Sequence, residues 1–167
     1  FATGYELPEG VPENRVSLLS SYALVTQPAA DLGPLEGGAM IWETARPYTY
    51  LRSTPDRRIL VGGVDVPFKN TDARDALLPV RTRQLERYLK NVFGESLPAT
   101  AFAWAGTFGE TGDGLPLIGR LPNYTNAYAA LGYGGNGIVF SQIAADLLGA
   151  LCAGQGHEDE RLFGFDR

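Results

Sequence analysis

The chain has 167 residues, a hydrophobic content of 44% and a formal net charge of −5. This length suits one domain of moderate size or a part of a larger protein, and the acidic balance argues against a nucleic-acid partner, which would require a basic face. A single cysteine excludes an internal disulfide, and with only one histidine we expect no metal site.

No signal peptide is apparent, and no run approaches the roughly 18–20 apolar residues of a membrane span. We therefore expect no transmembrane segment and a cytoplasmic location. The chain starts at Phe1 without an initiator methionine, and residues 1–4 read like the end of a buried strand that reaches a turn. The sequence therefore predicts that further residues precede Phe1.

The first half of the chain predicts an antiparallel meander. A loop rich in proline occupies residues 7–14, and a turn-rich connection occupies residues 29–38. Runs of β-branched and aromatic residues, separated by proline and glycine, predict strands at residues 16–26, 40–43, 48–53 and 59–63.

A loop is predicted at residues 65–72 and a helix at residues 77–93. Apolar residues recur there at helical spacing: Leu85, Leu89, Val92 and Phe93. Pro79 suits the first turn of this helix, and Gly94 suits the position just past its end.

The second half predicts a strand at residues 101–106, a polar, glycine-spaced loop at 107–114 and a short extended piece at 115–119. A strand at residues 126–131 then leads through a glycine loop into a helix that starts at Ile138. The residues that this helix should bury are Val139, Ile143, Leu147, Leu148 and Leu151. Phe163 and Phe165 should pack back onto the body. Strands covered by a helix, followed by a strand–loop–helix unit, predict the α+β class.

The glycine loop contains Gly132, Gly134 and Gly137, which match the dinucleotide-binding pattern G-x-G-x-x-G. That pattern should open a βαβ unit, and too few residues follow Glu158 and Asp159 for such a unit. Two interpretations remain: a backbone that approaches a flat or anionic group at a helix N-terminus, or a turn that packs a strand against a helix. A phosphate-binding loop is weaker, because no Lys-Ser/Thr pair follows the glycines.

Four stretches, in this order and at these spacings, resemble one family. They are residues 2–5 (Ala-Thr-Gly-Tyr), the stretch from Arg46 to Gly63, residues 111–119 (Thr-Gly-Asp-Gly-Leu-Pro-Leu-Ile-Gly) and residues 132–138 (Gly-Tyr-Gly-Gly-Asn-Gly-Ile). Together they resemble the C-terminal half of FAD-dependent oxidoreductases of the D-amino-acid oxidase and glycine oxidase type.

The resemblance implies an N-terminal FAD-binding layer joined to an antiparallel substrate domain, and oxidation of a C–N bond by hydride transfer to flavin. Residues 1–15 would end the FAD-binding layer, residues 16–100 would form the substrate domain, and residues 101–167 would complete the flavin site. The fold would then be an antiparallel substrate-domain sheet with a covering helix, plus a strand–loop–helix remnant of the FAD-binding layer, truncated at the N-terminus.

The resemblance also implies site residues. Those placed beside FAD are Ala2, Thr3, Gly4, Gly106, Asp113, Gly132, Gly134, Gly135, Asn136, Gly137 and Ile138. Those placed beside the substrate are Tyr48, Tyr50, Arg46, Arg52 and Phe108. Glycine-oxidase-like members often hold the substrate carboxylate with arginines, and the corresponding positions here are Phe108 and Gly135. The substrate is therefore expected to be an amine without that carboxylate, or one whose carboxylate is held by Arg46 or Arg52.

The expected function is that of the substrate-domain-containing part of an FAD-dependent amine or amino-acid oxidoreductase. Its expected partners are the FAD-binding N-terminal half of the same protein and a small amine or amino-acid substrate; a homo-oligomer is left open. No protein general base is required, because a neutral amine can give up hydride directly. We expect this chain alone neither to bind FAD tightly nor to turn over. The alternative is a non-catalytic binding module that retains the fold.

Overall fold

The computed structural model describes residues 1, 3, 5–94 and 97–167, so Ala2 and Gly4 of the predicted flavin site lie outside the described residues. The strands are β1 (Val16–Thr26), β2 (Met40–Trp42), β3 (Tyr50–Ser53), β4 (Ile59–Pro67), β5 (Thr100–Thr111), β6 (Leu117–Arg120) and β7 (Tyr128–Leu131). The α-helices are α1 (Thr71–Phe93), α2 (Gly137–Cys152) and α3 (Glu160–Phe163), and short 3₁₀ turns occupy Glu13–Arg15, Gly33–Gly38 and Gly134–Asn136. This is the expected α+β class.

The chain divides into two compact units. Unit 1 comprises residues 1–19 and 107–167, and unit 2 comprises residues 20–106. β1 and β5 each continue from one unit into the other. The predicted division at residues 15 and 100 stays a prediction.

Unit 2 is an antiparallel sheet with a helix on one face. The strand order is β2-β3-β4-β1-β5, and β2–β3 and β3–β4 pair antiparallel, which confirms the predicted meander for β2, β3 and β4, whereas β1 lies beside β4. Between this face and α1 lies a core that includes Tyr22, Leu24, Leu51, Val61, Leu85 and Leu89. The opposite face, called the open face below, carries large exposed side chains that alternate with the core residues: Met40, Trp42, Phe102 and Trp104.

The helix of unit 2 starts earlier than its sequence predicts. Asn70 caps α1, because its side-chain Oδ1 accepts a hydrogen bond of 2.8 Å from the Ala73 N–H. The predicted start near Leu77 is therefore wrong, and Pro79 lies inside the helix, where it cannot donate to the carbonyl four residues before it. Gly94 ends the helix as predicted, with φ of 74°.

Two strands extend into predicted loops. β4 continues to Pro67 through Gly63 and Val64, both of which have positive φ, so the predicted loop at residues 65–72 is wrong for its first three residues. β5 continues to Thr111 through Gly106 and Gly109, which corrects the predicted loop at residues 107–114. Both strands therefore continue past their glycines, and in β4 the positive φ values mark a local irregularity of the strand.

Unit 1 combines the antiparallel pair β6–β7 with α2 and α3. One cluster gathers Val11, Val16, Leu117 and Leu131, and a second gathers Ile118, Ala144, Leu147, Leu151 and Phe163. Phe163 is buried and Phe165 packs against the first cluster, as predicted. The prediction that Val139 is buried is wrong, since 61% of that residue is exposed.

One helical stretch, Gly134–Cys152, has 19 residues and a mean hydropathy of 1.3, so its length and composition would allow it to cross a membrane. Only 17% of the stretch is buried, with Ala144, Leu147 and Leu151 among the buried residues, and a single helix of this kind is weak evidence in either direction. The stretch is therefore no strong indication of a membrane span.

Candidate functional site

A cleft of about 250 Å³ in unit 1 is the candidate site. Its lining comes from the start of the chain, from the end of β5 and from the glycine loop after β7: Tyr5, Leu7, Val16, Thr107, Phe108, Gly109, Ala130, Leu131, Gly132, Tyr133, Gly134 and Gly137. None of these lining residues carries a charged side chain at neutral pH. The cleft therefore suits an uncharged or delocalised flat group, with apolar contacts from side chains and polar contacts from backbone.

Gly132 sets the path of the glycine loop at the edge of this cleft. Its φ is 72°, in the left-handed region that favours glycine, and a Cβ built there would lie 2.9 Å from Cγ2 of Thr111 and 3.4 Å from Cγ2 of Val16. Both conformation and space therefore require glycine at this position. The close approach brings the loop backbone against the end of β5, where Glu110 and Tyr133 form an isolated antiparallel bridge.

The loop ends in a helix start that no side chain caps. The 3₁₀ turn Gly134–Asn136 runs directly into α2, and Asn136 at the N-cap position makes no side-chain hydrogen bond to the first turn. The first N–H groups of a helix have no partner within it, and the helix dipole places partial positive charge there. The start of α2 can thus donate hydrogen bonds to an electron-rich edge of a bound group.

The start of α2 also exposes apolar surface. Ile138 is 91% exposed and Val139 is 61% exposed. Two β-branched aliphatic residues at a helix start beside backbone donors would accept the edge of an aromatic ring system, which has both polar and apolar atoms.

A second polar depression in unit 1 is organised by Arg167. The guanidinium donates from Nε to Oδ2 of Asp113 at 3.0 Å and from Nη2 to Oδ1 at 3.2 Å. It also donates to the carbonyls of Pro116, at 2.8 Å, and of Leu115. We call this set of residues, Asp113, Leu115, Pro116 and Arg167, the Arg167 clamp. It fixes the loop between β5 and β6.

Arg15 fixes the segment that carries Arg167. Its guanidinium donates to the carbonyls of Phe165 and Arg167, both at 3.0 Å. The Arg167 hydrogen bonds and the Leu115 N–H lower the pKa of Asp113 far below its usual range. Asp113 is therefore ionised and engaged by protein donors, which is also consistent with a role in shaping the loop.

The structure gathers some of the residues predicted to contact flavin and separates others. Gly132, Gly134 and Gly137 line the cleft together, and Phe108, which was predicted to contact the substrate, lines it as well. Asp113 lines the polar depression instead. The remaining described residues of that set are exposed: Thr3, Gly106, Gly135, Asn136 and Ile138. Their contact with a cofactor stays a prediction.

The predicted substrate residues of unit 2 lie on or beside β3. Tyr50 pairs with Gly62 across β3 and β4, and its ring centroid lies 6.2 Å from that of Tyr48. The guanidinium carbon of Arg46 lies 5.3 Å from the centre of the Tyr48 ring. Burial raises the pKa of Tyr50, Asp65 and Tyr48 add to that rise, and Arg52 opposes it. These residues thus form one neighbourhood, whose contact with a substrate stays a prediction.

Sequence reasoning missed several contributors. Among them, Tyr5, Leu7 and Tyr133 line the cleft; Tyr5 lies in the motif at residues 2–5 and Tyr133 in the glycine loop, whereas Leu7 offered no local signal. Asp65 was assigned to a loop, but it belongs to β4. Its Oδ1 is buried and has no hydrogen-bond partner in the part of the chain that the structure describes. Burial raises the pKa of the Asp65 carboxyl, and a Ser21 hydrogen bond only partly offsets that rise.

Replacing Asp65 with asparagine should stabilise unit 2 at neutral pH. Folding raises the pKa of the Asp65 carboxyl above the ordinary value of 3.8. The protonated carboxyl therefore stabilises the folded state fully at pH values below 3.8, and this contribution is lost as pH rises through the folded pKa. We expect a gain of about 1 kcal/mol in the free energy of unfolding at pH 7, reduced by partial exposure. Urea unfolding at pH 4 and pH 7 measures it. A lower stability at pH 7 would contradict this assignment.

Comparison with known proteins gives a family. The sequence model of the family described as DAO, FAD dependent oxidoreductase, matches residues 1–151. No curated protein matches the chain significantly.

Several solved structures resemble this one. Glycine oxidase from Geobacillus kaustophilus is 19% identical with a TM-score of 0.59, over 93% of this chain and 40% of that one. Iminodiacetate oxidase from Chelativorans sp. BNC1 is 17% identical with a TM-score of 0.74, over 93% and 41%. L-proline dehydrogenase from P. horikoshii is 19% identical with a TM-score of 0.63, over 92% and 40%. At these identities the likeness concerns the fold, and this chain spans about two fifths of the length of each.

Proposed function

Because this chain belongs to the DAO family of FAD-dependent oxidoreductases, we propose that it forms the part of such an enzyme that completes a flavin site and carries the substrate domain. The enzyme would oxidise the C–N bond of an amine or an amino acid. The observation that supports this most is the family match over residues 1–151, which includes the glycine-lined cleft and the uncapped start of α2.

The residues of the cleft fit one side of a flavin. Gly132 and Gly134 have positive φ and present backbone without side chains, and a Cβ built on Gly134 would come within 3.5 Å of Cβ of Glu110. The cleft wall consists of glycine backbone and of aromatic and aliphatic side chains, and it contains no charged group. Such a wall matches the face and edge of a planar heteroaromatic ring.

The bound flavin would supply the hydride acceptor. The chain itself would contribute electrostatics and position. The N–H groups at the start of α2 stabilise negative charge at an adjoining ring edge by about 0.3–2 kcal/mol, and oriented donors add to that stabilisation. Phe108 and Tyr133 would restrict the orientation of the ring and keep water away from it. Tyr48, Tyr50, Arg46 and Arg52 are the proposed substrate-contacting residues.

The ADP part of FAD would be bound by an N-terminal half of the same protein, which we propose as the partner of this chain. The relatives named above are about 2.3 times as long as this chain, which supports that proposal. Purified alone, the 167-residue chain should carry no stoichiometric flavin, and this chain serves as the negative control in the experiment below.

The test uses the whole protein in which this chain occurs, loaded with FAD. A panel of amines and amino acids is added without oxygen, and loss of flavin absorbance is followed; bleaching by at least one of these classes is expected. In the same protein, Gly134→Val should weaken FAD retention roughly tenfold, because a side chain enters the cleft wall. Gly154→Val is the matched control, since its φ is 74° and its Cβ would meet nothing within 4 Å.

If FAD binds but no amine or amino acid bleaches it, the proposed reaction class is wrong. If the whole protein retains no flavin, the alternative of a non-catalytic binding module is favoured. Equal FAD retention in both glycine variants would mean that residues 132–137 do not face the flavin.

A further inference from the structure

Tyr50 lies on the open face of unit 2, beside the exposed Trp42 of β2. Gly62, its cross-strand partner, lies directly under the phenol, and a Cβ built on Gly62 would lie 2.3 Å from the Tyr50 hydroxyl oxygen. On the next residue, a Cβ built on Gly63 would lie 2.3 Å from the Tyr48 carbonyl oxygen. Two consecutive glycines therefore let β3 and the Tyr50 ring approach β4 closely.

The backbone is strained where β4 leaves these glycines. Val64 has φ of 52°, which is an outlier for a β-branched residue, and its side chain is buried. The strained residue directly precedes Asp65, so the side chain of Asp65 is turned to the neighbourhood of Tyr50 and Ser21. The charge of Asp65 accordingly raises the pKa of Tyr50.

In the part of the chain that the structure describes, no cation acts on the pKa of Asp65. Oδ1 of this residue is buried without a hydrogen-bond partner. The pKa of the carboxyl is raised by burial and lowered by a hydrogen bond with Ser21. An unpaired, half-buried carboxylate is costly, and such groups are retained where they meet a ligand. The missing partner is therefore a cation.

A metal ion does not fit this position. Among the described residues, no group of three or more His, Cys, Asp or Glu side chains could hold one. The neighbours of Asp65 are aromatic instead. The Arg46 guanidinium already packs over the face of the Tyr48 ring. A carboxylate beside phenol rings is the chemistry that recognises an organic ammonium group.

We propose that Asp65, together with Tyr50, binds the positively charged amino group of the ligand of this protein. This rests on the proposed function only in that the ligand is an amine; the binding itself does not require flavin. The site would favour a cationic amine over a neutral molecule of the same shape. It also gives Asp65 a reason to remain a carboxylate although asparagine would make unit 2 more stable.

The test is a binding experiment on the 167-residue chain. Benzylammonium chloride is the probe and benzyl alcohol is its uncharged analogue, and their dissociation constants are measured by NMR titration. Asp65→Asn should weaken benzylammonium binding roughly tenfold, the loss of one charge-assisted hydrogen bond, and leave benzyl alcohol unchanged. Asp65→Glu should recover part of the affinity. The control Asp72→Asn removes an exposed carboxylate from the first turn of α1 and should change neither.

The pH dependence supplies a second readout. Benzylammonium binding to the wild-type chain should strengthen as pH rises through the pKa of Asp65, which lies above 3.8, and binding to Asp65→Asn should not. The other groups that lie near this carboxyl are Ser21 from β1 and Tyr50 from β3, and Tyr50 is in turn flanked by Tyr48, which precedes β3, and by Arg52.

Equal binding of benzylammonium to wild type and to Asp65→Asn would overturn the proposal, and so would equal affinity for benzyl alcohol and benzylammonium in the wild type. The proposed function fails separately, in the flavin-bleaching experiment. Amine binding that depends on Asp65, without bleaching of the whole protein by any amine, would retain this site and discard the reaction.

Discussion

Replacing Gly132 with alanine should destabilise unit 1 by about 2–3 kcal/mol. The left-handed backbone at φ of 72° costs a residue with a Cβ about 1 kcal/mol, and the contact of 2.9 Å with the Thr111 methyl adds the cost of overpacking, about 1–2 kcal/mol. Because Thr111 is buried, its methyl cannot move away cheaply. Urea unfolding followed by circular dichroism measures the change.

Gly154→Ala isolates the backbone cost. Gly154 has φ of 74°, almost the same as Gly132, but a Cβ there would meet nothing within 4 Å. We expect this variant to lose only about 1 kcal/mol. The difference between the two variants is then the cost of packing against Thr111 and Val16. If both variants lost the same free energy, the loop would not pack against β5 as the structure has it.

Arg167→Ala should cost unit 1 about 2–3 kcal/mol. Only 16% of the Arg167 side chain is exposed, and its removal takes the guanidinium donors away from the Asp113 carboxylate and from the carbonyls of Leu115 and Pro116. The exposed Arg161 is the matched control, and its replacement by alanine should change the stability by less than about 0.5 kcal/mol. Chemical unfolding of both variants gives the comparison.

The pH dependence should identify the clamp as the cause. The folded pKa of Asp113 lies below the ordinary value of 3.8, so its contribution to stability is present above that value and is lost as pH falls through the folded pKa. Because the carboxylate is half exposed, its share of the stability is about 1 kcal/mol or less. The stability of Asp113→Asn should therefore fall less between pH 5 and pH 2 than that of wild type, and parallel curves would contradict this.

Much of the fold follows from local patterns. β1 occupies the predicted residues 16–26, because a run of β-branched and aromatic residues ends at a Gln-Pro stop. The start of α1 was missed because Pro79 was taken as a first-turn residue, while the cap is the polar Asn70 nine residues earlier. Val139 fits the apolar stripe of α2, yet it lies in the first turn, before the segment that packs against Ile118 and Phe163.

The candidate site could be predicted only where its residues are consecutive. The glycine loop was found from its spacing, and the structure places Gly132, Gly134 and Gly137 together in the cleft. Tyr5 and Leu7 reach the same cleft from more than 100 positions away, and no local pattern records that contact. The Arg167 clamp joins residues 54 positions apart, and Asp65 becomes conspicuous only once its buried Oδ1 is seen to have no hydrogen-bond partner among the described residues.

The division of the chain also fixes the order in which its parts can fold during synthesis. Unit 2 is one continuous segment, residues 20–106, and all of it is synthesised before Thr107 is added. Unit 1 draws on both flanks of that segment, so β6, β7 and α2 meet residues 1–19 only after an intervening loop has closed. The cleft, whose walls come from both flanks, is consequently among the last features that the growing chain can assemble.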